Sequence, residues 1–441
     1  MTTEPNPRRA RLDIAPQRPL IDTELHIRVL GVWPGSQVTV RAESVDAAGQ
    51  AWRAQATFAA DGGGTVDLAR DAPLSGSYRD ADAMGLVWSM EPDGSPDPGL
   101  ARDRLAPVPL RLVAETGGRR LDAAEVWRSF LADGLVRAEV REQGLVGVLF
   151  HPGGTGPWPG VIHLGGAEGG LHEDDAALLS AHGFTVLALA YYDLPGLPQT
   201  LQNVPLEYFG RALDYLRRRQ QVAAGGVAVL GVSKGGEAAL LLGATYPAAI
   251  RAVISLVGSG LLTQGISQSV LTGSLLEILS TPVANWTYQG RELPYLPNVV
   301  TPKMTAAVAA GGPVCLGWAA PDLSRAAQVE EAAIPVERIA GPVLLISGGD
   351  DQTYGPAFQE AAAQRLARHR HPHPWQHIIH RQAGHLIAAV PYRPTTQSSF
   401  PGPGVEFQFG GTPAADAAAR VATWTRVLSF LGGNPPGEDG C

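Results

Sequence analysis

A serine set among glycines is the residue of this chain with the most chemistry in reach. The stretch Gly231-Val232-Ser233-Lys234-Gly235-Gly236-Glu237 follows the apolar, β-branched run Val227-Ala228-Val229-Leu230 and precedes Ala238 to Ala244, residues that favour helix. Strand, Gly-x-Ser-x-Gly and helix, in that order, describe a sharp turn that lifts a hydroxyl out at the carboxyl edge of a sheet. Side chains in place of the glycines would collide with the strand or the helix. The bland alternative is an ordinary strand-to-helix turn with a solvated serine.

A serine hydroxyl is a poor nucleophile alone; it needs a base, and the base needs an acid that orients it. On a sheet with such an elbow the chain order is serine, then Asp or Glu, then His. After Ser233, the run Val343-Leu344-Leu345-Ile346 ends in Ser347-Gly348-Gly349-Asp350-Asp351. Adjacent loop residues point apart, so one of the two acids faces the site, and Asp351 is preferred over Asp350. The base is His385, on the glycine-bearing loop Ala383-Gly384-His385-Leu386. Backbone N–H groups must also face the charge that develops on the attacked carbonyl. One is that of Lys234; the other is that of Gly166 or Ala167, in the loop Gly165-Gly166-Ala167-Glu168-Gly169-Gly170. The spacing of these glycines matches neither phosphate-binding fingerprint.

Strands must carry these loops. From residue 136 apolar strands alternate with helices: strands at 160–164, 185–190, 227–230, 252–257, 343–346 and 378–380, helices at about 173–182, 206–220 and 414–431, opened by a hairpin of 136–140 with 145–150. Apolar strands joined by helices form a mostly parallel sheet covered on both faces. With the elbow, this pattern predicts an α/β-hydrolase fold over 131–435. Residues 259–341 are an insertion that overhangs the site and shapes an acyl pocket. Residues 1–130 alternate with period two between turns and predict an all-β, immunoglobulin-like sandwich with no cluster of chemical groups. Asp122 to Leu131 reads as a helical or connecting stretch, and 436–441 as a disordered tail.

Composition bounds the rest. The 441 residues carry 45% hydrophobic and 17% charged side chains, a globular balance. Net charge is −8 with no basic tail, which argues against a nucleic-acid partner. Lys234 and Lys303 are the only lysines, a bias that points to a bacterial genome and makes Lys234 hard to treat as filler. Two cysteines, Cys315 and Cys441, form no disulfide framework. The polar start and the lack of a long apolar run predict a cytoplasmic protein without a membrane span. His369, His371, His373, His377 and His380 crowd one segment, read as a solvated loop rather than a metal site. No cofactor or metal is called for, and the oligomeric state is left open.

Beyond these patterns, the chain resembles the acyl-CoA thioesterases related to bile acid-CoA:amino acid N-acyltransferase, over nearly its whole length. The resemblance rests on Leu25 to Gly31 with Pro34-Gly35, Pro159-Gly160-Val161-Ile162 with the glycine loop, and Leu187 to Tyr192. It continues through Leu206-Glu207-Tyr208-Phe209, the elbow 231–237, Ile334 to Arg338, and Gly384-His385-Leu386-Ile387 with Pro391-Tyr392. It implies a triad of Ser233, Asp351 and His385, and fatty acyl-CoA thioesters as substrate class. The amino-acid-conjugating branch carries cysteine as nucleophile, so serine here leans toward hydrolysis. Acyl transfer to glycine or taurine, carboxylester hydrolysis of a secondary metabolite, and a sandwich adaptor with an inactive hydrolase are the alternatives. Arg217, Arg218 and Arg219, or Arg365, Arg368 and Arg370, are candidates for the CoA phosphates, although both sets also read as ordinary helix-surface charge.

Overall fold

Period-two burial builds the first sheets of the chain. The structure, a computed structural model, describes residues 10–94, 105–271, 273–402 and 404–433; the tail expected at 436–441 and Cys441 lie outside them. The chain divides into two units: 1–132 with 390–397 and 412–421, and 133–389 with 398–411 and 422–441.

In the first unit, β1 (Arg11–Ala15), β2 (His26–Leu30) and β3 (Thr65–Asp67) pair in one sheet. A second sheet holds β4 (Gln37–Val45), β5 (Ala51–Ala59), β6 (Val108–Thr116) and β7 (Arg119–Arg128). Ile27 and Val29 of the first sheet share one buried cluster with Val38, Val40, Phe58, Leu110 and Leu112 of the second, which makes the sandwich. Residues 122–128 are strand, not the helical or connecting stretch expected. Arg111↔Glu125 and Leu112↔Ala124 pair across the β6–β7 ladder, and that pairing overrides a local sequence, Asp122-Ala123-Ala124-Glu125, with weak strand preference.

The second unit is an eight-stranded sheet. Its strands are β8 (Val136–Val140), β9 (Val146–His151), β10 (Trp158–Leu164), β11 (Thr185–Ala190), β12 (Val222–Val232), β13 (Ile250–Leu256), β14 (Val343–Gly348) and β15 (Trp375–His380). Their spatial order is β8-β9-β11-β10-β12-β13-β14-β15, antiparallel around β9 and parallel elsewhere. Helices α1 (Glu173–Ala181), α2 (Leu206–Arg217), α3 (Lys234–Thr245) and α5 (Pro413–Leu431, shared between the two units) fall on the expected segments, and α4 (Pro356–Arg368) is a helix beyond those expected. Strands β10, β11 and β13 are almost wholly buried, and so is β12 from Val227 to Gly231, as strands covered on both faces must be. Register places the site: Leu164 lies beside Gly231 and Leu256 beside Val232, so the loops that leave β10, β12 and β13 emerge at one edge. This is the α/β-hydrolase fold, with residues 257–342 between β13 and β14 as short helices, short strands and loops.

Candidate active site

The elbow is strained in the way the glycines predict. Ser233 has φ 54° and ψ −116°, outside the regions that L-residues prefer. Its N–H donates to Leu256 O at 2.8 Å. A Cβ at Gly231 would fall 1.8 Å from Gly235 O; one at Gly235 would fall 2.4 Å from the carbonyl oxygens of Leu164 and Gly165. Both positions therefore exclude any side chain, and the second brings the glycine loop of β10 against the helix that follows Ser233.

Three loops meet at this turn. His385 Nε2 lies 3.0 Å from Ser233 Oγ, and His385 Nδ1 lies 2.7 Å from Asp351 Oδ2. Asp351 Oδ1 accepts from Thr353 N–H at 2.7 Å, which fixes the carboxylate. The neighbouring Asp350 faces elsewhere: its carboxylate accepts from Gln352 Nε2 at 2.8 Å and from Gly411 N–H at 3.0 Å. Phe409 seats the histidine from two sides. Its carbonyl accepts from His385 N–H at 2.9 Å, and its ring stacks on the imidazole at 5.8 Å between centroids. Burial disfavours the imidazolium, but the charge of Asp351 and its hydrogen bond outweigh that, so the His385 pKa is raised above its ordinary value. Ser233 itself is half-buried, within reach of a substrate.

The N–H of Lys234 opens α3, where no intrahelical acceptor exists for it. Opposite it runs the β10 loop. Tyr191 Oη donates to Gly165 O at 2.7 Å and fixes the loop from below. Of the two expected donors here, Gly166 N–H is engaged by Glu168 Oε1 at 3.0 Å, whereas Ala167 is exposed. Sequence reading missed Glu168; the only signal was an acid inside a run of glycines.

A second feature it missed is the clamp under the elbow. Lys234 and Glu237 are 4% and 1% exposed, a burial that ionised groups tolerate only when paired. Lys234 Nζ lies 3.5 Å from Glu237 Oε2 and donates to Gln264 O at 2.9 Å and to Thr263 Oγ1. Glu237 accepts from Trp286 Nε1 at 2.8 Å, Asn285 Nδ2 at 3.2 Å and Thr263 Oγ1 at 2.7 Å. The insertion is thereby pinned to the helix that carries a candidate oxyanion donor. Glu237→Leu leaves Lys234 buried without its counter-charge and is expected to cost about 3–5 kcal/mol of stability. Denaturant unfolding that shows a loss below about 1 kcal/mol would mean that the pair is not a structural unit.

Several members of the two arginine clusters are already engaged by carboxylates. Arg219 pairs with Glu142 at 2.8 Å, Arg218 with Asp214 at 3.7 Å, and Arg365 with Glu337 at 2.6 Å and Glu330 at 2.9 Å. In the histidine-rich segment, His371 faces Gly341 O, His377 faces Ser347 Oγ and His380 faces Thr423 Oγ1. Among the described residues no group of three or more His, Cys, Asp or Glu could hold a metal ion, and no helix is long and apolar enough to cross a membrane.

An eight-stranded sheet in this order, with a strained serine at its edge and an imidazole on its hydroxyl, defines the class: an α/β-hydrolase built around a serine. Within that class, the chain belongs to the acyl-CoA thioester hydrolase/BAAT family. The family's C-terminal region matches residues 204–434 and its N-terminal region residues 22–142. The chain is 34% identical to mouse acyl-coenzyme A thioesterase 1 over 435 residues, 96% of each protein. It is 34% identical to the mitochondrial acyl-coenzyme A thioesterase 2 of mouse over 437 residues, 96% of this chain and 89% of that one. Among solved structures, an acylaminoacyl peptidase of Pyrococcus horikoshii aligns with 89% of this chain and 56% of its own, at 11% identity and a TM-score of 0.41.

Proposed function

We propose that this chain hydrolyses acyl-CoA thioesters to free acid and CoA, with Ser233 as nucleophile, His385 as base and Asp351 as its orienting acid. The observation that carries the reading is the contact of His385 Nε2 with Ser233 Oγ at 3.0 Å, in a chain a third identical to acyl-coenzyme A thioesterases along nearly its whole length. Ser233 Oγ attacks the thioester carbonyl while its proton passes to His385 Nε2. The oxyanion faces the N–H of Lys234 and that of Gly166 or Ala167. The carbon–sulfur bond breaks, His385 returns the proton to the departing thiolate, and an acyl-serine remains. Water then attacks it while His385 takes the water's proton; the carbon–oxygen bond to Ser233 breaks, His385 returns that proton to Ser233 Oγ, and the free acid leaves. Asp351 keeps the imidazole in the tautomer this requires.

In this reading residues 131–435 carry the reaction, the sandwich of 1–130 is a packing module, and the protein works in the cytoplasm of a bacterium. The test is to incubate it with acyl-CoAs of graded chain length, with and without glycine or taurine, following free thiol and product mass. Thiol release with free acid as the only product is the expected result. Amide formation would make it an acyltransferase instead, and cleavage of simple esters without thiol release a carboxylester hydrolase.

A further inference from the structure

The carboxylate of Glu168 stands where a substrate's carbonyl oxygen needs help. Its Oε1 accepts the hydrogen of Gly166 N–H at 3.0 Å and lies 2.8 Å from His172 Nε2, a close charge contact. The point at which a Cβ on Gly166 would sit is 2.6 Å from Glu168 Oε2 on one side and 3.0 Å from Ser233 Cβ on the other. The acid therefore reaches into the space beside the nucleophile. The Gly166 peptide has little freedom to turn away. The carbonyl of the peptide unit that holds this N–H, Gly165 O, accepts from Tyr191 Oη at 2.7 Å.

Behind Glu168, His172 Nδ1 lies 3.8 Å from Asp175 Oδ2, and the buried His163 packs against the His172 ring at 5.8 Å. Burial pushes the His163 pKa down to about 3, whereas at His172 burial is outweighed by the hydrogen bond and charge of Glu168, which raise the pKa. The Glu168 side chain is nevertheless 54% exposed, so a route into solvent is open to it, and the next two residues are glycines with positive φ.

An anion here opposes acylation twice. It occupies a backbone donor, and it repels the negative charge that forms on the attacked carbonyl in a site of low dielectric. We propose that Glu168 is a guard on the oxyanion site: it holds Gly166 N–H in the resting enzyme, tethered by His172, and has to withdraw before a substrate carbonyl can take that donor. The proposal rests on the serine mechanism above, but not on the thioester as substrate.

The test measures the rate constant for labelling of Ser233 by an alkyl fluorophosphonate, which needs the nucleophile and its oxyanion donors but no CoA ester, alongside kcat/KM for butyryl-CoA. Glu168→Ala is expected to label about tenfold faster than the wild type, since both the competing acceptor and the charge are gone. Glu168→Gln, which keeps the shape and an acceptor but not the charge, is expected to label a few-fold faster and serves if the alanine variant folds poorly. Folded variants that label no faster than the wild type overturn the proposal, and slower labelling overturns it in favour of a role for Glu168 in assisting the reaction. Faster labelling of the variants supports the guard even if no acyl-CoA is hydrolysed, an outcome that would count only against the thioesterase reading.

Discussion

Ser233→Ala is expected to lower kcat for acyl-CoA hydrolysis by about 10⁵–10⁶-fold while leaving KM within a few-fold of the wild type. Only Oγ leaves. The substrate-binding surface and the backbone donors stay, so ground-state binding persists, but no atom remains 3.0 Å from His385 Nε2 to be activated. The fold should tolerate the change. Ser233 adopts φ 54° because Gly231 and Gly235 close the turn around it, and an alanine meets the same backbone cost as the serine did. The measurement is thiol release under saturating substrate, with a thermal melt alongside. A variant that melts like the wild type yet keeps more than about 1% of its kcat would show that the acyl group never resides on this serine, and the mechanism would fall.

How much of this was legible in the sequence follows from how local each feature is. The elbow is a local object: three glycine positions, a strand before and a helix after, each demanded by sterics within seven residues. The sheet was legible because buried parallel strands need apolar runs, and these stand out between helices. The candidate acid and base could be placed by chain order and loop position, although which of Asp350 and Asp351 faces His385 is a matter of direction, set in the fold by Gly411 N–H on one and Thr353 N–H on the other. What was not legible is long-range. Glu237 sits in the most readable stretch of the chain, yet its partners Asn285 and Trp286 lie far along the insertion, and no spacing announces them. Glu168 was visible as a residue but not as a contact. The return of residues 390–397 to the first unit is likewise unsignalled: it rests on single bonds such as Arg128 Nη2 to Tyr392 O at 2.7 Å and Thr395 N to Trp88 O at 2.9 Å.

The two missed features bear on different candidate donors, one at Lys234 and one at Gly166. The Lys234–Glu237 clamp is buried and partnered on both side chains, directly after Ser233. The Glu168 contact is half exposed and lies in a glycine-rich loop. If Glu168 guards its donor as proposed, Gly166 N–H is open to a substrate only when the carboxylate leaves, while the Lys234 side chain stays pinned. On the proposed mechanism, the rate then depends on the loop of β10 as well as on Ser233, His385 and Asp351.

Asp351→Asn is expected to lower kcat/KM by about 10⁴-fold and to move the acid limb of its pH profile downward. The tautomer explains the first effect. An asparagine turned to donate its N–H to Nδ1 leaves the imidazole proton on Nε2, which then cannot accept from Ser233. The sign of the second follows from the charges. The base works only when neutral, so wild-type activity rises as pH climbs through the His385 pKa, which lies above its ordinary 6.5. Burial alone would have depressed it; the Asp351 carboxylate, 2.7 Å away, reverses the direction. Without that charge burial prevails, and the residual activity should reach its plateau at lower pH than the wild type. Stability follows the same linkage. A histidine whose pKa is raised on folding stabilises the fold below its unfolded pKa and loses that contribution as pH rises through the folded value, so the variant should lose stability chiefly on the acid side. Profiles of kcat/KM from pH 5 to 9 and melts at both ends check these expectations. An acid limb that stays in place in the variant would show that His385 does not owe its basicity to Asp351.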